Sequence, residues 1–288
     1  MRVLIAGKNG QLAQEFIGRL TGPEFEVEAP EEKELDITNK DAVRAIVGAS
    51  RPDVVLNCAA YNNVDGAESD PDAAFAVNAT GVKNLADACR KAGALFVHYG
   101  TDYVFNGHKG APYTEEDIPD PVNIYGKSKL AGERLLAETL HRYLLMRVSW
   151  VFGEGKQNFF YKILQAARNN KVLEIVDDQV STPTSTREIV RLTMLALDRG
   201  LRGLYHLTCT GHASRYEIIK YLAAKLGMTN TIIPVASDYF PSPARRPRFS
   251  AVSNAKLAKD LGIEIPDWTS GVDWYVEKVK QMGSSGNR

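Results

Sequence analysis

Cysteine is scarce in this chain. Cys58, Cys89 and Cys209 are the only three in 288 residues, far apart and odd in number. That excludes a disulfide framework, and no Cys-x-x-Cys or His/Cys spacing builds a metal site. The three read as buried reduced thiols, which suits the cytosol. Long apolar runs are lacking too: none approaches the ~18 residues of a membrane span. The N-terminus opens directly into Arg2-Val3-Leu4-Ile5-Ala6, without the apolar stretch and small-residue cleavage site of a signal peptide. A cytoplasmic protein with no membrane partner is the expectation. An excess of one charge is also missing. Lys plus Arg and Asp plus Glu number 35 each, so no bulk field draws a nucleic acid or an acidic surface. What is present is ordinary globular composition, 44% hydrophobic and 24% charged. A chain of this length can bury about three quarters of its unfolded surface.

Short apolar runs alternate with helical periods through the first half. Strands are expected at 3–7, 25–29, 53–60, 95–101 and 143–152, and helices at 11–20, 41–48, 71–92 and 123–140. Thr38 or Asn39 is placed to cap the second helix. Asp53–Ala60 is nearly all apolar, as in a strand buried on both faces. This alternation predicts an α/β fold, a Rossmann-like doubly wound parallel sheet. The second half is less regular: helices at 157–169 and 185–199, extended runs at 173–176 and 203–208, a Pro/Arg-rich loop at 234–247, and terminal helices at 253–261 and 268–282. The expected division is a dinucleotide-binding domain over 1–150, a smaller substrate-binding lobe over 151–250, terminal helices over 251–282 and a polar tail over 283–288.

Ligands in such sheets bind at the carboxyl ends of the strands, and every candidate cluster falls there. Gly7-Lys8-Asn9-Gly10-Gln11-Leu12-Ala13 joins the first strand to the first helix. Its small residues permit a sharp turn and close approach of backbone amides to a pyrophosphate, aided by the helix N-terminus. Such sites usually carry an acid about 20 residues on, for the ribose hydroxyls. Here Glu26-Val27-Glu28-Ala29-Pro30-Glu31-Glu32 offers several and singles out none, so NADH and NADPH both stay open. Tyr125 and Lys129 stand four apart at the start of a helix, one above the other on one face. A cation beside a phenol lowers its pKa, which would suit Tyr125 to proton exchange with a sugar oxygen. Thr101, ending the preceding strand, could hydrogen-bond the same oxygen; a turn or cap role is the plain alternative.

Thr101, Tyr125 and Lys129 resemble the Ser/Thr–Tyr–Lys triad of the short-chain dehydrogenases, and Gly7, Gly10 and Ala13 match the extended branch. The longer runs are more specific. Gly7–Leu12, Asn57–Tyr61, Thr101–Phe105, Tyr125–Glu133, Arg147–Gly153, Gly203–His206 and Arg246-Pro247 resemble the dTDP-4-dehydrorhamnose reductase family, in order and over nearly the whole chain. The resemblance implies reduction of the C4 ketone of a dTDP-sugar by NADPH or NADH. It implies Tyr125 as proton donor, Lys129 on the nicotinamide ribose and lowering the tyrosine pKa, and Thr101 on the reacting oxygen. Thr101, Asp102 and Trp150 would contact substrate. Gly10, Gln11 and Leu12, after the turn at Gly7, would cradle the pyrophosphate. Asp36 and Ile37 would flank the adenine, and Ala60, Tyr61 and Asn62 the middle of the cofactor. A homodimer is a further expectation.

Departures from the family are few. Gly66 stands where Lys is frequent, and Asn62-Asn63 replaces Thr-Ala. Asn78 resembles an asparagine supporting a water relay, with a core polar role as the alternative. Glu15 and Glu188 correspond to acids that bind Mg2+ in some members, but paired surface carboxylates are ordinarily solvated, and no metal is expected. A non-catalytic regulatory subunit of the kind that accompanies methionine adenosyltransferase shares the Tyr-Gly-Lys-x-Lys run; Trp150 and Thr101-Asp102 favour the reductase. A dehydratase would carry an acidic pair beside the threonine, which Asp102-Tyr103 does not supply; an epimerase on the same fold is the other alternative.

Overall fold

The computed structural model describes residues 1–155 and 158–285. The first half alternates β1 (Arg2–Ala6), α1 (Gln11–Arg19), β2 (Glu26–Glu28), α2 (Lys40–Ser50), β3 (Val54–Asn57), α3 (Val64–Ser69), α4 (Pro71–Phe75), α5 (Val82–Ala92), β4 (Leu95–Thr101), α6 (Ile124–Thr139) and β5 (Tyr143–Val148). The second half continues with β6 (Val151–Phe152), α7 (Phe159–Asn169), β7 (Val172–Val176), β8 (Val180–Ser181), β9 (Thr184–Ser185), α8 (Thr186–Asp198) and β10 (Gly203–His206). It closes with β11 (Ala213–Ser214), α9 (Arg215–Leu226), β12 (Thr231–Val235), α10 (Ala255–Leu261) and α11 (Trp268–Ser285).

Six strands form one parallel sheet in the order β10-β5-β4-β3-β1-β2. Side chains alternate across it with the period of two that a strand imposes. Val3, Ile5, Leu56, Val97 and Met146 pack toward Phe16 of α1 and Ile189 and Leu192 of α8. Leu4, Val55, Phe96 and Leu145 pack toward Val43 of α2, Leu85 of α5 and Leu136 of α6. Both faces are therefore covered by helices, as the apolar runs predict: this is the doubly wound α/β fold. Strand order reverses between β1 and β3, which puts the ligand crevice at their carboxyl ends. A separate apolar cluster joins Phe160 and Ile163 of α7, Leu173 and Ile175 of β7, Ile218 and Leu222 of α9, and Val272 and Tyr275 of α11.

Five elements differ from the sequence expectation. The helix over 71–92 is not uniform: Ala76–Gly81 between α4 and α5 is a π-helix. The strand over 143–152 breaks after Val148, because Trp150 adopts φ 39, outside extended backbone. Pro234 does not lie in a loop but in β12, paired in parallel with β7 alone; a two-stranded edge tolerates its missing N–H. Helix α11 continues to Ser285, into the stretch expected to be a polar tail, and residues 286–288 of that tail lie outside those described. The helix expected from residue 157 begins at Phe159, and residue 157 is also outside the described residues.

Candidate active site

The crevice is built from the carboxyl ends of β1, β3, β4 and β5. At β1 the chain turns through Gly7, whose φ is 80 and whose Cβ, if present, would lie 2.5 Å from Ala59 N. The loops after β1 and β3 thus touch where strand order reverses, and only glycine fits there. Gly10 caps α1 without a side-chain bond, so the first amides of the helix open toward the crevice. The Gln11 side chain donates to Val151 O at 3.2 Å and leaves Oε1 buried without a partner among the described residues. The amides at this helix N-terminus fit a dinucleotide phosphate, whereas Gln11 Oε1 is an acceptor and would need a donor.

A cleft of about 390 Å3 gathers most of the expected residues: Gly10, Gln11, Leu12, Ala60, Asn62, Thr101, Asp102, Tyr125, Lys129 and Trp150 all line it. Gly7 stands behind its wall as the turn. Tyr61, Asp36 and Ile37 are not part of the lining. Ile37 is 4% exposed and packs where a Cβ on Gly81 would sit, while the Asp36 carboxylate accepts from Thr38 N and Oγ1. Tyr61 is held through its backbone: Asn78 Oδ1 accepts from Tyr61 N at 2.9 Å, and Asn78 Nδ2 donates to Tyr61 O at 3.1 Å and Ser128 Oγ at 3.0 Å. Asn78 is 1% exposed; its amide is a clamp that fixes the loop after β3 against the π-helix.

The chemistry-bearing groups converge on the tip of β4. Thr101 caps the short turn over Asp102–Val104, accepting from Tyr103 N and donating to Asp102 Oδ1 at 3.3 Å. Asp102 also accepts from Ser250 Oγ at 2.5 Å. Burial pushes the Asp102 carboxyl up to about 6, against hydrogen bonds from Ser250 and Ser149 that pull it down. The Tyr125 ring meets the Tyr103 ring edge-on at 5.9 Å. Burial holds its phenol above the usual range, a hydrogen bond with Thr101 draws it back, and the Asp102 charge raises it again. Lys129 is buried, donates Nζ to Tyr99 O at 2.6 Å, and is pushed down to about 8 by that burial, with Glu133 acting to raise it. The largest influences on the Tyr125 phenol are burial, Thr101, Asp102, Tyr103 and Glu133. Desolvation dominates both groups, and it acts upward on a phenol and downward on an ammonium.

Trp150 projects into the same cleft from its left-handed backbone. The guanidinium of Arg215 lies 5.0 Å from the Trp150 ring and 5.4 Å from that of Phe159, a cation–π stack. Arg215 and Gln179 also line a second, adjoining cleft of about 1000 Å3, with Phe240, Arg245, Arg246 and Arg248. This larger cavity lies away from Tyr125 and the other reactive groups, so its size does not make it the reaction centre. The segment carrying those arginines is tied down at several points: Arg246 pairs with Asp65 at 2.7 Å, and Asn123 Nδ2 donates to Arg245 O at 2.8 Å.

A family model described as the RmlD substrate binding domain matches residues 1–281. The chain belongs to this family. Among family relatives, the dTDP-4-dehydrorhamnose reductase of Burkholderia thailandensis is 39% identical, over 97% of this chain and 99% of that one. A crystal structure of a dTDP-4-dehydrorhamnose reductase from Clostridium acetobutylicum superposes with a TM-score of 0.94 at 35% identity, covering 97% of this chain and 100% of that one. The Bacillus anthracis dTDP-4-dehydrorhamnose reductase, solved in complex with NADP, superposes with a TM-score of 0.93 at 33% identity, covering 96% and 99%.

Three parts of this RmlD-family site were not legible as site residues. Ser250 reaches Asp102 from 148 residues away. Arg215 stands at the start of an ordinary amphipathic helix. Glu31 was one acid among several after β2; the structure singles it out, because its carboxylate accepts from Lys8 Nζ at 2.6 Å and Asn9 Nδ2 at 3.3 Å in the phosphate loop. Those bonds hold it below the usual carboxylate range. The ~20-residue rule for a ribose-binding acid points to this stretch but does not choose among its acids.

Proposed function

We propose that this protein is an NADPH- or NADH-dependent dTDP-4-dehydrorhamnose reductase, converting the C4 ketone of dTDP-4-dehydro-β-L-rhamnose to the alcohol of dTDP-L-rhamnose. The observation that carries this reading is full-length membership of the RmlD family together with Thr101, Tyr125 and Lys129 around one cleft beside the amide cradle of α1. Gly10, Gln11 and Leu12 would hold the cofactor pyrophosphate, Ala60 and Asn62 its middle, and Asp36 and Ile37 its adenine end. The nicotinamide, when bound, supplies the hydride.

The rest of the chemistry falls to the chain. The phenol of Tyr125, protonated at neutral pH as any phenol is, gives its proton to the C4 oxygen. Thr101 hydrogen-bonds that oxygen and steadies the phenolate that forms. Lys129 holds the nicotinamide ribose. Trp150 and Asp102 orient the sugar, and the adjoining arginine-lined cleft receives the nucleoside diphosphate, with Arg215 at the junction. In this reading residues 1–150 bind cofactor and 151–250 bind the nucleotide sugar, although β10 and α8 complete the core of the first part. Assembly as a homodimer in the cytoplasm belongs to the same proposal, and light scattering on the purified protein reads the oligomer. No helix among the described residues is long and apolar enough to cross a membrane.

The deciding experiment follows NADH and NADPH oxidation with dTDP-4-dehydro-β-L-rhamnose. Turnover with either cofactor supports the reading. Its absence with both, in folded protein that still binds them, would sink it.

A further inference from the structure

Tyr125, Lys129 and Glu133 recur every four residues along α6 and share one face of the helix. Glu133 is 4% exposed, and Arg147 holds it in a fork: Nε donates to both carboxylate oxygens, at 3.2 and 3.0 Å, and Nη2 donates to Oε2 at 2.7 Å. Arg147 comes from β5, where it is register-paired with Gly100 of β4 on one side and His206 of β10 on the other. Gly100 leaves the space the carboxylate occupies, since a Cβ there would collide with Glu133 Oε1. Glu133 thus lies against the β4 backbone beside Tyr99, whose carbonyl receives Lys129, and Thr101.

A buried ion pair is a poor source of stability compared with apolar residues of the same size. Arg147 even leaves Nη1 without a hydrogen-bond partner among the described residues, relying on the Phe105 ring at 5.3 Å. The pair therefore calls for another reason, and its neighbour on the helix supplies one. The groups that face Lys129 are Tyr125 and Glu133 on its own helix and His98 and Tyr99 from β4, while Cys58, Asp102 and Tyr103 line the same cleft. His98 is held neutral, first by burial and then by Lys129 itself. Burial lowers Lys129, and Glu133 is the group that opposes it.

We propose that Glu133, locked by Arg147, is a positioning residue of the reductase site: it is the fixed counter-charge that keeps Lys129 an ammonium seated on the Tyr99 carbonyl. Arg147 fixes the carboxylate in place, and His206, neutral in its buried site beside Arg147, adds no competing cation. The inference rests on the reductase reading for its catalytic meaning, but its physical content is measurable without turnover.

The test compares the full-length protein with Glu133→Gln and with the charge-removing pair Glu133→Gln/Arg147→Met, which keeps a filled, neutral interior if the single variant does not fold. The titration midpoint of Lys129 is read by NMR of ε-carbon-labelled lysine, assigned with Lys129→Met. Glu133→Gln should titrate about 1 pH unit lower than the parent, the usual worth of a nearby opposite charge, and the double variant, which also removes the Arg147 cation, should move the same way by less. The alkaline limb of the kcat–pH profile should move the same way, while circular dichroism stays unchanged. An unaltered Lys129 midpoint in the folded variants would overturn the proposal and leave the pair a packing feature. A shifted midpoint in a protein whose parent form shows no turnover would support the Glu133–Lys129 coupling and count instead against the reductase reading.

Discussion

Tyr125 and Asp102 are the two residues whose protonation the cleft controls most directly. Tyr125 sits where desolvation extends the protonated phenol to more alkaline pH, and the protonated state is the one a proton donor needs before hydride arrives. Tyr125→Phe should reduce kcat by ~10²–10⁴-fold, the usual worth of a positioned acid, with cofactor affinity by fluorescence titration nearly unchanged. An unchanged rate would remove the phenol from the reaction. Asp102 makes a prediction about stability. Its carboxyl titrates at about 6 when folded against an ordinary value of 3.8, so the folded chain binds that proton more tightly. Below about pH 4 both states are protonated and nothing is lost. As pH rises from about 4 to about 6 the folded state gives up stability, on the order of 3 kcal/mol at ~1.4 kcal/mol per pH unit. Asp102→Asn should therefore gain stability relative to the parent chain as pH rises through that window. Urea midpoints across it test this; a difference that does not change with pH would contradict it. Both residues could be singled out from the sequence by their neighbours. The sign of the Tyr125 shift could not, because spacing places a cation nearby but says nothing of how much water the fold removes.

At the scale of elements, what positions the site is the crossing of α6 with the π-helix of Ala76–Gly81. Asn78 projects from that wider turn and clamps the backbone of Tyr61 on both its N–H and its C=O. Asn78→Ala would leave the N–H and C=O of Tyr61 short of partners, at ~1–3 kcal/mol for each group left unpaired, while Ser128 keeps its bond to Tyr125 O. The expected result is a loss of about 2–4 kcal/mol in unfolding free energy and a raised KM for the cofactor, with kcat little altered. Equal KM values in the two proteins would show that the clamp serves stability alone. The periodic pattern over 71–92 revealed a helix but not its extra residue, because a π-turn keeps helical composition and is set by what packs on it. The break in the strand at Trp150 was hidden for a similar reason. An aromatic in an apolar run reads as extended backbone, and only the fold holds it at φ 39. By contrast β1, β4 and α6 were legible nearly to their ends, since continuous burial and a capping Asn123 leave little choice.

At the scale of the whole molecule, equal numbers of cations and anions coexist with a locally basic cleft. Arg215, Arg245, Arg246 and Arg248 meet there, with Glu174, Asp178 and Asp238 in the same lining and Asp65 paired to Arg246. Attraction of a nucleoside diphosphate would then be local and screened within ~10 Å at 0.1 M salt. Raising the salt from about 0.05 to about 0.5 M should increase KM for the nucleotide sugar several-fold while leaving kcat nearly constant; a KM indifferent to salt would place the diphosphate elsewhere. The sequence by itself determined the α/β class, the tight turn at Gly7 and Gly10, and the Tyr125–Lys129 face, because short-range periodicity and backbone stereochemistry dictate these locally. Only the tertiary structure decided that Ser250 bonds Asp102, that Glu31 answers Lys8, that the arginines join Trp150 through Arg215, and that Glu133 and Arg147 lie beneath the tyrosine–lysine face. These contacts join residues brought together by strand order and by the return of distant segments. Burial then sets their charges, and how much water a group loses depends on the whole fold rather than on its neighbours in the chain.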